Sequence, residues 1–181
     1  MVTYIAFTAG VSKETVAKLR VAITESFNRG TEKITIFMSS TGGDVFEGLS
    51  IAGFIRALDV PVTTHNIGQT DSVANVIFAA GRRRYANSNA SFLFHGVSQP
   101  INANLSECQL LELYTQTVRL REMISLNFST YTGIPLADVS SLMVEGGNIL
   151  SASQALSRNI IHEVREFVTP VGVQIVTIGN N

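Results

Sequence analysis

The sequence is short of the residues that cross-link a chain, ligate metals or carry bulk charge. It has one cysteine, Cys108, so no intrachain disulfide framework can form, and a lone thiol suits a reducing compartment. Cys108 falls in a Leu-rich helical stretch, where a buried, inert thiol is the expectation. The three histidines lie far from one another and from the cysteine, without metal-ligand spacing, so neither a metal nor a cofactor is expected. Charged residues make up 15% and the formal net charge is −1. That balance gives no electrostatic footprint for nucleic acid or for an anionic membrane. No apolar run reaches the length of a membrane span. The opening Met1-Val2-Thr3-Tyr4-Ile5-Ala6-Phe7 lacks the basic n-region and long apolar h-region of a signal peptide, so the expected address is the cytoplasm. With no repeat, low-complexity tract or linker, residues 1–181 read as one domain.

What is present is apolar and periodic. Hydrophobic residues make up 45%, enough for a full core in 181 residues. A mean hydropathy of +0.25 is high for a soluble monomer and points to surface buried between subunits. Short apolar runs at Tyr4–Phe7, Ile34–Met38, Val60–Thr64 and Ser91–His95 read as strands. Between them, Ser12–Asn28 (Val16, Leu19, Ile23 and Phe27 on one face), Val45–Leu58 and Ser72–Ala80 read as helices, the last closed by Gly81 as a C-cap. This alternation predicts an α/β fold with a mainly parallel sheet.

The second half is organised differently. About residues 105–132 form one long helix, closed by Gly133 and Pro135 and spanning roughly 40 Å. Leu110, Leu113, Leu120, Ile124, Phe128 and Tyr131 make one apolar stripe; Leu111, Tyr114 and Val118 make a shorter one beside it. One stripe can face the chain's own core; the other either is buried there as well or, the preferred expectation, projects and meets another subunit. Short helices near Leu136–Val144 and Ser151–Arg158 follow, with Ser151 as an N-cap, and Val171–Ile178 reads as a strand.

In parallel sheets, sites form at the carboxyl ends of the strands. Three such ends carry useful residues: Ser39-Ser40-Thr41-Gly42-Gly43-Asp44, Asn66-Ile67-Gly68-Gln69-Thr70-Asp71-Ser72, and His95-Gly96. A serine nucleophile needs a base in reach and donors for the developing oxyanion. Ser72 can be that nucleophile, His95 the base, and Gly43, lacking a Cβ, a close-approaching amide donor. Each also has a structural reading: Asp71 or Ser72 as a helix N-cap, Gly42-Gly43 as a tight turn, His95 as a bonded strand-end histidine.

At these same residues the sequence resembles the Clp protease proteolytic subunit, within the wider crotonase-like folds. Phe37-Met38-Ser39-Ser40-Thr41-Gly42-Gly43-Asp44-Val45 is similar to the family's Asn-Ser-Pro-Gly-Gly stretch. Gly68-Gln69-Thr70-Asp71-Ser72-Val73-Ala74-Asn75 is similar to its nucleophile motif, and Phe92-Leu93-Phe94-His95 to the strand ending in its histidine. Ile149-Leu150-Ser151-Ala152-Ser153-Gln154-Ala155 resembles its Phe-Leu-Ser-Ala-Pro-Glu-Ala segment, and the resemblance runs from about residue 4 to 164. It implies Ser72 as nucleophile, His95 as base, and the backbone N–H groups of Gly43 and Val73 as oxyanion hole. It also implies a handle helix that interlocks stacked rings, which enclose a chamber fed with peptide or unfolded protein by an ATP-driven unfoldase.

Three departures qualify what the resemblance implies. The family's catalytic aspartate falls at Gly147, leaving Asn148 or Glu145 to orient His95. The small residue before the nucleophile is Asp71, whose charge opposes an oxyanion. The chain starts almost at the first strand, without the segment that forms the family's axial loops, so a stand-alone peptidase oligomer fits as well as an unfoldase-coupled one. Three functions follow: a serine peptidase, a non-catalytic ring subunit without the aspartate, or a crotonase-like acyl-thioester enzyme. Arg82-Arg83-Arg84 reads as a solvated turn, His65 as a satisfied structural histidine, and His162 carries no assignment.

Overall fold

The structure, a computed structural model, describes residues 1–98, 104–143 and 147–180. Its first half alternates strand and helix as the apolar pattern requires: β1 (Val2–Thr8), α1 (Lys13–Asn28), β2 (Lys33–Ser40), α2 (Val45–Ala57), β3 (Val62–Asp71) and α3 (Ala74–Ala79). Ser12 closes the start of α1 with a reciprocal box, its hydroxyl accepting the Thr15 N–H while Thr15 Oγ1 accepts the Ser12 N–H. Val16, Leu19 and Ile23 are buried from α1, but Phe27, on the same stripe by spacing, lies in the last turn and is 45% exposed.

Strands β4 (Arg83–Ala86), β5 (Ser91–Phe94), β6 (Asn148–Ser151), β7 (Glu163–Val164) and β8 (Ile175–Gly179) complete an eight-stranded sheet among the described residues. The main path is β6-β5-β3-β2-β1-β8, with β4 bridging β3 to β7. All pairs are parallel except β5 with β6. The expected α/β fold with a mainly parallel sheet is what the chain adopts.

Strand β3 is longer than its apolar run and changes partner along its length. Thr63–Asn66 pair with Arg83–Ala86 of β4, whereas Gln69–Asp71 pair with Ser91–Leu93 of β5. Asn66 makes the switch: its Oδ1 accepts the Gly68 N–H at 3.0 Å and its Nδ2 donates to Ser91 O at 2.8 Å. A local side-chain turn thus satisfies the backbone where the ladder is broken. The stretch Asn66–Asp71, expected as a loop, is therefore strand, and it delivers Ser72 to the end of β5.

The arginine run also departs from expectation. Arg82 and Arg83 are exposed, but Arg84 alternates inward on β4 and is 5% exposed. Its Nε donates to Ile160 O at 2.7 Å, and its Nη atoms donate to Gly81 O and Asn159 O at 3.3 Å. Burial lowers its pKa to about 10, which still leaves the guanidinium charged at neutral pH. Gly81 is not a left-handed cap; α3 ends on right-handed Ala80, and a Cβ at Gly81 would collide with Thr64 Oγ1.

In the second half, α4 (Glu107–Thr132) starts at a Ser106–Gln109 capping box and ends at Gly133, left-handed with φ 77°. Its inward residues are Leu120, Ile124, Ser125 and Phe128, all in the second half, with Phe128 edge-on to Phe94 at 5.2 Å. Leu110, Leu111 and Tyr114 are 50%, 66% and 68% exposed. Cys108 is exposed rather than buried, because the first turns of α4 stand clear of the core. Helices α5 (Leu136–Leu142) and α6 (Ala152–Ser157) follow, the latter capped by Ser151 as expected. Val144, the expected end of α5, lies outside the described residues.

After β7 the chain crosses the sheet before β8. Phe167 lies on Phe37 with centroids 3.7 Å apart, and Arg165 sits over the Tyr85 ring at 3.7 Å. Buried His65 belongs to this packing, its Nε2 paired to Asn87 Oδ1 at 2.8 Å, so it is a structural histidine. Among the described residues no helix is long and apolar enough to cross a membrane.

Candidate active site

Ser72 sits between β3 and α3 with φ 55°, a left-handed conformation that a residue with a Cβ adopts at a cost of roughly 1–2 kcal/mol. The turn around it is held from several sides. The Ser72 N–H donates to Leu93 O at 2.9 Å, and the Asn75 N–H donates to Ser72 O at 3.0 Å. Asn75 Nδ2 donates to the same Leu93 carbonyl at 2.8 Å. Behind the turn, a Cβ at Gly42 would lie 2.8 Å from Ser72 Cβ and 2.7 Å from Asp71 O. Strain that persists because its surroundings over-determine it is a mark of a functional position. A serine on a strained strand-to-helix turn is also how nucleophile elbows expose their hydroxyl.

The capping explanation for this pair does not hold. The N-cap of α3 is Val73, and no side chain bonds the helix start, so neither Asp71 nor Ser72 serves there.

The glycine pair is shaped by Val11. The Val11 N–H donates to Gly42 O at 2.7 Å and the Asp44 N–H donates to Val11 O at 2.8 Å, a parallel bridge around Gly43. Such a bridge uses the groups of the flanking residues, so the Gly43 amide itself points away from Val11. Gly43 has φ 145°, and any Cβ there would strike the Val11 carbonyl oxygen. Asp44 then caps α2, accepting the Glu47 N–H at 3.0 Å. Among the described residues no acceptor pairs with the backbone N–H of Gly43 or of Val73. Val73 is fully buried, and Gly48 faces its methyl groups so closely that a Cβ would collide.

His95 follows β5, two residues after the carbonyl that anchors Ser72. Its ring is not hydrogen-bonded to the Ser72 hydroxyl; Nδ1 instead pairs with Gly96 O at 2.6 Å. A carbonyl oxygen can only accept, so Nδ1 carries the proton and Nε2 is left with its lone pair. Gly147, at φ 75°, faces the ring's base: a Cβ there would lie 3.6 Å from His95 Cβ and 3.1 Å from Leu93 Cδ1. Asn148 does not take the aspartate's place, since its Nδ2 donates to Leu142 O at 2.9 Å and its backbone pairs with Phe94. Glu145 lies outside the described residues. Asp71 is half-buried; burial raises its carboxyl pKa, while the Leu93 backbone amide and nearby His95 pull the other way.

Ser72, His95, Gly43 and Val73, expected from the sequence, lie at or just past the carboxyl ends of the adjoining strands β2, β3 and β5, but the expected Ser72–His95 hydrogen bond is not formed. Sequence reasoning had missed Asn75 and the Gly96 carbonyl. An asparagine within the apolar run Val73–Ala80 was a readable signal, but a main-chain carbonyl leaves none. No cluster of His, Cys, Asp or Glu among the described residues could hold a metal.

A sheet open at its carboxyl edge, with a strained serine, an imidazole nitrogen free to accept, and the unpaired amides of Gly43 and Val73, is a framework compatible with acyl chemistry. The family model described as Clp protease matches residues 3–167, and the chain belongs to that family.

Proposed function

We propose that this chain is a serine endopeptidase subunit working through an acyl-enzyme formed on Ser72. His95 Nε2 takes the proton from Ser72 Oγ as the hydroxyl attacks the peptide carbonyl, then returns it to the leaving amine. The Gly43 and Val73 amides receive the oxyanion. The Gly96 carbonyl fixes the tautomer, the orienting part of what an aspartate does, without its full charge. The observation that carries this reading is the left-handed Ser72, anchored to the strand that leads into His95.

The exposed apolar residues of α4 suit an oligomer in which this helix packs on other copies, and the family's ring chamber would then limit substrates to peptides and unfolded chains. An ATP-driven unfoldase is no part of the minimum assembly proposed. Gly147 favours one second reading, a ring subunit that keeps the fold and does not turn over.

Hydrolysis of a fluorogenic peptide library by the purified oligomer separates the two. The peptidase reading expects turnover that Ser72→Ala lowers by about a thousandfold or more and His95→Ala to a similar degree. Absence of any turnover, or turnover that survives Ser72→Ala, rejects it.

A further inference from the structure

Among the described residues, the Ser-His reading leaves one role unfilled. When His95 accepts a proton it becomes a cation, and the hydrogen bond it makes is to a neutral carbonyl. Gly147 brings no side chain to the ring, and the Asn148 amide is committed to Leu142. A negative charge beside the ring would stabilise the imidazolium.

Asp71 is placed to supply it. In the parallel β3–β5 ladder Asp71 is the register partner of Leu93, and partners in neighbouring strands project to the same face. Leu93 and His95 are two residues apart, and both side chains border the same point beside Gly147. Asp71, Leu93 and His95 therefore share one face of the sheet's end, on the side away from the core residues Phe92 and Phe94.

We propose that Asp71 is the charge partner of His95, a positioning residue in the place before the nucleophile that stands in for an aspartate at residue 147. The proposal rests on the Ser-His reading. Supporting it, the carboxyl is held where burial penalises its charged form, and it caps no helix there. Nearby His95 opposes that effect of burial, after the Leu93 amide. A partly desolvated carboxylate that caps no helix, held by the Leu93 backbone amide on the His95 face, fits a functional one.

Two measurements separate this proposal from the reading beneath it. The first is the carboxyl titration of Asp71, followed by NMR in the native and His95→Gln oligomers, which needs no activity. Removing the cation that holds the carboxyl down moves its titration to higher pH; an unmoved titration refutes the pairing. The second is the rate of fluorophosphonate labelling across pH. Asp71→Asn keeps the shape and removes the charge, so it slows labelling about tenfold or more and shifts the acid limb to lower pH. Glu145→Gln leaves both unchanged. Loss with Glu145→Gln and not with Asp71→Asn, or faster labelling in Asp71→Asn, overturns the assignment. If the native protein labels nowhere while the Asp71 titration still moves, the peptidase reading fails and the charge pair stands.

Discussion

Around Ser72 the backbone groups that shape the turn are tied to β5 and to the Gly42–Val11 bridge, while in the first turns of α4 large apolar side chains lie open. The first region is built from contacts within one chain: Leu93 O holds both the Ser72 N–H and the Asn75 amide. The second has a capped start at Ser106 but no core beneath it until Leu120. The difference separates a region held by contacts within the chain from one that such contacts leave open. The open face of α4 is what the proposed oligomer would cover.

Breaking the Ser72 region should have the largest effect, because stability and activity fail together. Gly43→Ala puts a Cβ into the Val11 carbonyl at a backbone angle only glycine tolerates. It is expected to cost about 3 kcal/mol or more of stability and to remove peptidase activity in whatever remains folded. Chemical denaturation and peptide turnover read the two effects.

The two halves of α4 sharpen the comparison. Phe128→Ala removes a fully buried ring packed on Phe94 and is expected to destabilise the subunit by roughly 3–5 kcal/mol. Tyr114→Glu lies on the open face and is expected to change subunit stability by less than about 0.5 kcal/mol. Sedimentation should nevertheless show the Tyr114→Glu oligomer dissociating. An unchanged assembly would mean that the open stripe is not an interface.

The smallest effect is a pH dependence beneath the crossing segment. Burial lowers the pKa of His65, so the folded protein keeps it neutral where the unfolded chain would protonate it. The stability it allows is whole above the unfolded value, about 6.5, and is lost as pH falls toward the depressed folded value. Thermal midpoints between pH 7 and 5 should fall in the native protein and flatten in His65→Gln. Burial, with the charge of Arg84, shifts His162 in the same direction, so a weaker slope remains.

Much of this was legible in residue order. The early strands, α1, and α4 with its closing Gly133 follow from apolar period and glycine placement, as does the placing of Ser72, His95 and Gly43 on neighbouring strand ends, whereas the Ser106 cap of α4 went unread. What else was not legible came from contacts with no local signature. β3 continues past its apolar run because Asn66 repairs the ladder, which depends on Ser91, 25 residues away. β4 hides in an arginine run because Arg84 finds the carbonyls of Ile160 and Asn159, about 75 residues away, beside the local one of Gly81. Cys108 was misplaced because a helical pattern shows which face is apolar but not whether anything covers it.

The central claim is that Ser72 is the nucleophile, and the site of covalent capture tests it most directly. After fluorophosphonate treatment and tryptic digestion, mass spectrometry should find the adduct on Ser72, within the peptide Ala57–Arg82. An adduct on another residue, or an unmodified Ser72 in an intact oligomer, would contradict the account.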